Sequence, residues 1–303
     1  MHAYYCDHFV LPLPDGHRFP MEKYRLLRER VATELPGTQM FVPPAATRVE
    51  LERVHEADYV TRVWSGSLEE QAVRKMGFPW SRELVERSRR SVGGTIAAAR
   101  SALNAGTAVN LAGGTHHAFR DRGEGFCVFN DVAVSVLAMR TEGRIQRAAI
   151  LDLDVHQGDG TAAIFEHDPD TFTASVHGEN NFPFKKTTSD LDVPLPDGAG
   201  DDAFLSAVDR ALGAAVAHGP ELVYFIAGAD PYTGDRLGRL DVSKETLATR
   251  DQRVADVCRT KGIPLVTVMA GGYAVDVADT VDIHFHSVRT MAKTLAQPSV
   301  GVA

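Results

Sequence analysis

The stretch Leu151 to Gly160 reads LDLDVHQGDG and gathers acids and an imidazole within a few residues. It continues an apolar run, Ala148-Ala149-Ile150-Leu151, of the composition expected of a strand buried on both faces of a parallel sheet. Side chains alternate along a strand, so Asp152, Asp154 and His156 are expected on one side at its carboxyl end. Carboxylates that close repel each other unless a cation sits among them. A divalent metal meets that need, and imidazole with carboxylates and no thiolate suits zinc or another first-row ion. Gly158 and Gly160 then allow a sharp turn that carries a third acid, Asp159. A lone Asp-Val-His would read as a strand-to-helix loop whose acids cap the next helix, but the longer run on an apolar strand favours a metal site.

Other polar residues fall in equivalent places. Ala108 to Ala118 (AVNLAGGTHHA) runs from apolar residues into two glycines and the pair His116-His117. The strand-like Glu221 to Ala227 (ELVYFIA) ends in Gly228-Ala229-Asp230, and Ile263 to Met269 (IPLVTVM) ends in Ala270-Gly271-Gly272-Tyr273. All lie just beyond the carboxyl ends of strands, the edge of an open α/β sheet where ligands bind. Asp154, His156 and Asp230 would hold a metal and leave coordination positions open. His117 or His116 would take a proton from water, and Asp152 and Asp159, not needed as ligands, would fix the two imidazoles. Tyr273 could donate a hydrogen bond to an oxyanion. Together these are the parts of a metal-activated amide hydrolase.

The elements that must position them alternate between strand and helix. Helices are expected over Met21–Thr33, Glu50–Trp64, Ser81–Leu103, Asn130–Met139, Ala203–Ala217, Lys244–Thr260 and Val277–Leu295. Further strands are expected over Ala3–Val10 and Thr171–Val176, with a long irregular loop over Gly178–Gly200. This pattern predicts an α/β three-layer sandwich with a mostly parallel central sheet, as one domain over residues 1–303.

Composition narrows the function classes. A formal net charge of -8 and a pI near 5.8 give no electrostatic reason to bind nucleic acid. Cys6, Cys127 and Cys258 are far apart and form no CxxC pair, which argues against a disulfide framework and for a reducing cytoplasm. Neither a signal-peptide pattern nor a membrane-length apolar run is evident.

GGTHHA, GEGFCVFND, LDLDVHQGDG, GADPYTGDRLG and AGGY resemble, in order, the signatures of the histone deacetylase family, and HRFPMEKY resembles its N-terminal segment. The likeness spans nearly the whole chain and implies the arginase/deacetylase fold. It is closest to class IV and bacterial members in the Thr of GGTHH, the GDRLGRL run and the short length. The resemblance implies that Asp154, His156 and Asp230 bind zinc. It implies that His117 is the general base paired with Asp159, that His116 is an electrostatic partner paired with Asp152, and that Tyr273 polarises the acyl carbonyl. Gly125, Phe126 and Phe182 would line an acyl-lysine channel. A monovalent cation, usually potassium, would be held by backbone oxygens of Asp152, Asp154 and His156 with Ser175 and Val176. The acid that orients peptide backbone at the channel rim of larger members has no matching position.

The reading is a zinc-dependent deacylase acting on acylated lysine or a related acylated amine. The alternatives are an acetylpolyamine amidohydrolase, a manganese ureohydrolase of the same fold, and a silent acyl-amine binding protein. Taken singly, Tyr273, Phe126 and Cys127 could be core residues. The remaining histidines, His55 and His177 among them, default to surface or capping roles, and Arg82–Arg90 (RELVERSRR) reads as a solvated helix face.

Overall fold

In a computed structural model that describes residues 1–296, the chain builds one eight-stranded sheet. From the amino terminus come β1 (His2–Tyr4), α1 (Glu22–Glu34), β2 (Gln39–Phe41), α2 (Arg48–Leu51), α3 (Ala57–Ser65), α4 (Glu70–Met76) and α5 (Arg82–Ala105). Then follow β3 (Thr107–Asn110), α6 (Asp131–Thr141), β4 (Ala148–Asp152), α7 (Asp159–Phe165), β5 (Thr171–Gly178) and β6 (Leu191–Leu195). The chain continues through α8 (Asp201–Ala217), β7 (Leu222–Ile226), α9 (Lys244–Lys261), β8 (Leu265–Val268) and α10 (Val277–Ala296). The strand order is β2-β1-β3-β8-β7-β4-β5-β6, and every pairing is parallel.

Strand alternation sorts the side chains into two cores. Ala149 and Leu151 of β4 join Leu27 of α1, Phe204 of α8, Leu247 of α9 and Phe285 of α10. Ala148 and Ile150 face the other way, toward Leu51 of α2, Val60 of α3, Ile96 of α5 and Val136 of α6. The result is the expected three-layer sandwich. Each large side chain so buried contributes on the order of 1.5–3 kcal/mol, and β4 carries no polar side chain until Asp152 at its carboxyl end.

The edges depart from the sequence expectation. The strand expected over Ala3–Val10 is only β1, and Glu50–Trp64 is two helices separated by a turn that buries His55. The loop expected over Gly178–Gly200 contains edge strand β6, with Pro194 exposed where a proline's missing N–H is tolerated. Arg82–Arg90 is not a solvated face: Arg87 is buried and donates to the carbonyls of Cys6 and Phe9, and Arg89 and Arg90 donate to those of Ala46 and Pro43.

Candidate active site

The sheet brings β3, β8, β7, β4 and β5 side by side, so residues distant in sequence leave neighbouring strand ends. Beyond β4 the alternation persists: Leu153 and Val155 still enter the first core, which keeps Asp154 and His156 on the opposite side. Asp154 accepts from the backbone N–H of His156 at 3.0 Å through Oδ1 and of Gly271 at 2.8 Å through Oδ2. Asp230 accepts from Val155 N–H at 3.0 Å through Oδ1. The turns after β4, β7 and β8 are thus bonded to one another through these carboxylates. Nothing larger than glycine fits at Gly271, where a Cβ would stand 1.9 Å from Asp230 Oδ2.

His156 Nδ1 lies 3.0 Å from Asp154 Oδ1 and 3.2 Å from Asp230 Oδ2. The donor atoms of the three residues are all within 4.8 Å of one another, and all three residues are buried. Donors sharing one tetrahedral ion at zinc distances stand roughly 3.3 Å apart, close to this spacing. Asp230 Oδ2 is buried and has no hydrogen-bond partner among the described residues, a cost that a cation would remove. The electrostatics agree. Burial and the neighbouring Asp154 push Asp230 up to about 7. Burial works against a charged His156, yet Asp154 and Asp230 outweigh it and raise the imidazole to about 10. Asp154 is held below the usual carboxylate range against its burial by His116 and His156. Two acids and an imidazole without thiolate fit a divalent cation, and a cation would compete for the same lone pairs as these protons.

The histidine pair sits on the loop after β3. His116 Nδ1 donates to Asp152 Oδ2 and His117 Nδ1 to Asp159 Oδ1, each at 2.6 Å. An ionised carboxylate can only accept, which places a proton on each Nδ1 and turns each Nε2 away from its acid. Burial disfavours charge on both rings. At His116 the carboxylates of Asp152 and Asp154 overcome it and raise the pKa to about 9. At His117 burial and the adjacent His116 win, and the pKa falls to about 4.

Tyr273 and the expected channel residues complete the enclosure. All of them, with His116, His117, Asp154 and His156, line a pocket of about 770 Å³. The Phe182 ring meets His117 edge-on at 4.9 Å, and the Phe126 ring lies 6.0 Å from Tyr273. Gly125 has φ +53°, and a Cβ there would come 2.7 Å from the His117 ring. Burial and the charges of Asp230 and Asp154 push the Tyr273 phenol well above its ordinary pKa, so it stays a donor. Ser175 lies on β5 directly opposite Asp152, with Val176 next to it.

Several supporting residues were not evident from sequence. Buried Asp131 accepts from the N–H groups of Gly114 and Thr115 and from the hydroxyls of Thr95 and Thr115, clamping the histidine loop to α6. Asp235 accepts from Tyr273 N–H at 2.6 Å and from Leu237 and Gly238, joining the turns after β7 and β8. Arg250 of α9 is fully buried, donating to Gly228 O at 2.6 Å and pairing with Asp251. His55, expected at the surface, is buried between Phe119 O and Asn130 N–H at 2.8 and 3.0 Å. His177 is also buried, 2.9 Å from Ser175 Oγ. A mid-helix arginine or a lone histidine carries no local mark of burial, whereas Asp131 at least follows directly on the helix-capping Asn130.

A model of the histone deacetylase domain matches residues 17–288. The chain belongs to the histone deacetylase family. An uncharacterized protein of Picosynechococcus sp. is 44% identical over 92% of this chain and 94% of its own length. Histone deacetylase 2 of Arabidopsis thaliana is 33% identical over 76% of this chain and 62% of its own. A histone deacetylase-like amidohydrolase of Pseudomonas aeruginosa is 31% identical over 87% and 74%. The fold is that of the HDA15 HD domain, with a TM-score of 0.80 and 22% identity over 99% of this chain and 92% of that one. The family thus reaches bacterial and eukaryotic proteins alike. No helix among the described residues is long and apolar enough to cross a membrane.

Proposed function

We propose that this family member is a zinc-dependent deacylase that hydrolyses the amide of an acylated lysine or a related acylated amine, as one catalytic domain over residues 1–303 in the cytoplasm. The observation that carries this reading is the convergence of the buried Asp154, His156 and Asp230 donors, the first two lining one pocket with two acid-backed histidines and Tyr273. Zinc held by those three residues would supply Lewis acidity toward the acyl carbonyl and lower the pKa of a water.

The chain's own residues do the rest. His117 is neutral at pH 7, and its Nδ1 proton is held by Asp159, so Nε2 offers the lone pair that accepts a proton from the attacking water. His116, protonated at that pH and backed by Asp152, supplies positive charge as negative charge develops on the substrate. Tyr273 donates its phenolic hydrogen to the carbonyl oxygen. Phe126, Phe182 and Gly125 grip the aliphatic stem and exclude water from it. Backbone oxygens of Asp152, Asp154 and His156, with Ser175 and Val176, would hold a structural potassium ion, and the register of β4 against β5 sets Asp152 opposite Ser175.

A manganese ureohydrolase would spend further acids on a second ion. Here Asp152 and Asp159 are each engaged by a histidine at 2.6 Å. A silent binding protein is disfavoured by the presence of both His117 and Tyr273. The test is release of free acid from acyl-lysine peptides of graded chain length and from acetylated polyamines by the zinc-loaded protein. Turnover of any of them supports hydrolysis, whereas a metal-loaded protein inert on every one sinks it.

A further inference from the structure

The pocket mouth carries charge opposite to that of the chain. The residues lining the pocket toward solvent include Arg18, Arg74, Lys75, Arg236 and Arg239, all exposed, against the single carboxylate Glu124. Glu124 is already neutralised by Arg122, whose Nε donates to it at 2.8 Å. Arg74 and Arg239 have loose partners in Glu70 and Asp197, at 3.3 and 3.2 Å. Arg18, Lys75 and Arg236 form no ion pair among the described residues. Arg236 is also held in place, since its Nε donates to Tyr273 O at 3.0 Å. The nearest acids along the chain, Asp15, Glu70, Asp235 and Asp241, lie outside the lining, and Asp235 is taken up by the backbone N–H groups of Leu237, Gly238 and Tyr273. A protein with a net charge of -8 therefore places five cations around this opening, three of them without an ion pair among the described residues.

Unpaired cations around a concave opening raise the local concentration of anions and repel cations, and low-dielectric walls sharpen the effect. We infer that the preferred substrate is an acyl-lysine flanked by acidic residues. A lysine- and arginine-rich tail or an acylated polyamine would meet like charge at the mouth. The inference rests on the deacylase reading and adds the sign of charge that accompanies the acyl group.

The experiment uses three peptides that share one acyl-lysine and differ only in their flanks: Asp/Glu, Ser/Gly, or Lys/Arg. Turnover by the zinc-loaded protein is measured as kcat/KM at low and high salt. Binding of the same peptides, labelled with a fluorophore, is followed by anisotropy. A few exposed charge pairs give roughly tenfold discrimination of acidic over basic flanks at low salt, lost near 1 M salt where the screening length is about 3 Å. Neutralising two of the free cations together, Arg18→Gln with Lys75→Gln, should shrink the ratio of acidic to basic peptide severalfold. Turnover of all three peptides at equal rates, or a preference for basic flanks, overturns the inference and leaves the hydrolase reading intact. If none is turned over, binding decides: tighter binding of the acidic peptide upholds the cationic mouth while the hydrolase reading falls, and equal binding removes both.

Discussion

His116 and His117 are the same residue type, adjacent in the chain and each backed by one aspartate at 2.6 Å, yet their pKa values are pushed in opposite directions. His116 also stands 3.9 Å from Asp154, so two carboxylates outweigh its burial, and the charge this gives it adds to burial in keeping His117 neutral. In the proposed mechanism that asymmetry separates base from electrostatic partner. His117→Ala should therefore lower turnover by about 10²–10⁴-fold, the range typical of a lost general base. Tyr273→Phe should cost about 10²–10³-fold, as for a lost oxyanion donor. Metal content, measured by elemental analysis, should stay at the wild-type value in both, and wild-type rates in either variant would remove that residue from the mechanism. Much of this was legible in the sequence, because alternation past an apolar strand puts Asp152, Asp154 and His156 on one side. Which histidine would act as base was implied only by the family resemblance, since the pKa difference depends on distances to Asp154 that no spacing encodes.

At the scale of elements, the site is a set of turns bonded to one another and held from behind. Arg250 reaches from α9 to the carbonyl of Gly228, two residues before Asp230, and its charge is matched by Asp251, which also accepts from Ser287 of α10. Arg250→Ala leaves Asp251 buried and unpaired and should destabilise the fold by about 3–5 kcal/mol. Arg250→Lys keeps the charge but not the fork, and should weaken metal retention against a chelator by about 10–100-fold. A wild-type chelator titration for Arg250→Lys would show that α9 does not position the centre. His55 ties the histidine loop to α6 in the same way. Burial lowers its pKa from 6.5 unfolded to about 4 folded. The unfolded chain therefore takes up the proton first, so the contribution is fully present above pH 6.5 and is lost as pH falls toward 4, up to about 3 kcal/mol. Urea midpoints should drop over that window in the wild type and drop less in His55→Gln; an identical drop would show that His55 does not titrate there. The central strands were readable because burial on both faces leaves unbroken apolar runs. The short strands β2 and β6 were not, being partly exposed and mixed in composition.

At the scale of the molecule, folding assembles a cation site from turns that meet only in the finished sheet. An unfolded chain cannot offer Asp154, His156 and Asp230 together, so binding a divalent ion should stabilise the fold, by about 2.7 kcal/mol at a hundredfold excess over Kd. Chelation should lower Tm, and Asp154→Ala should abolish the response of Tm to added metal. The architecture was recoverable from sequence because strand and helix alternate so regularly. The sign of charge at the mouth was not, since Arg18, Lys75 and Arg236 come from three separate segments and are dispersed in an acidic chain. The central claim is that one cation, gripped by these three side chains, serves a hydrolytic site. It is tested most directly by titrating the metal-free protein with zinc while following both bound metal per chain and release of acid from an acyl-lysine peptide. Activity should rise linearly and level off at one equivalent; a plateau at two equivalents, or full occupancy without acid release, would contradict it.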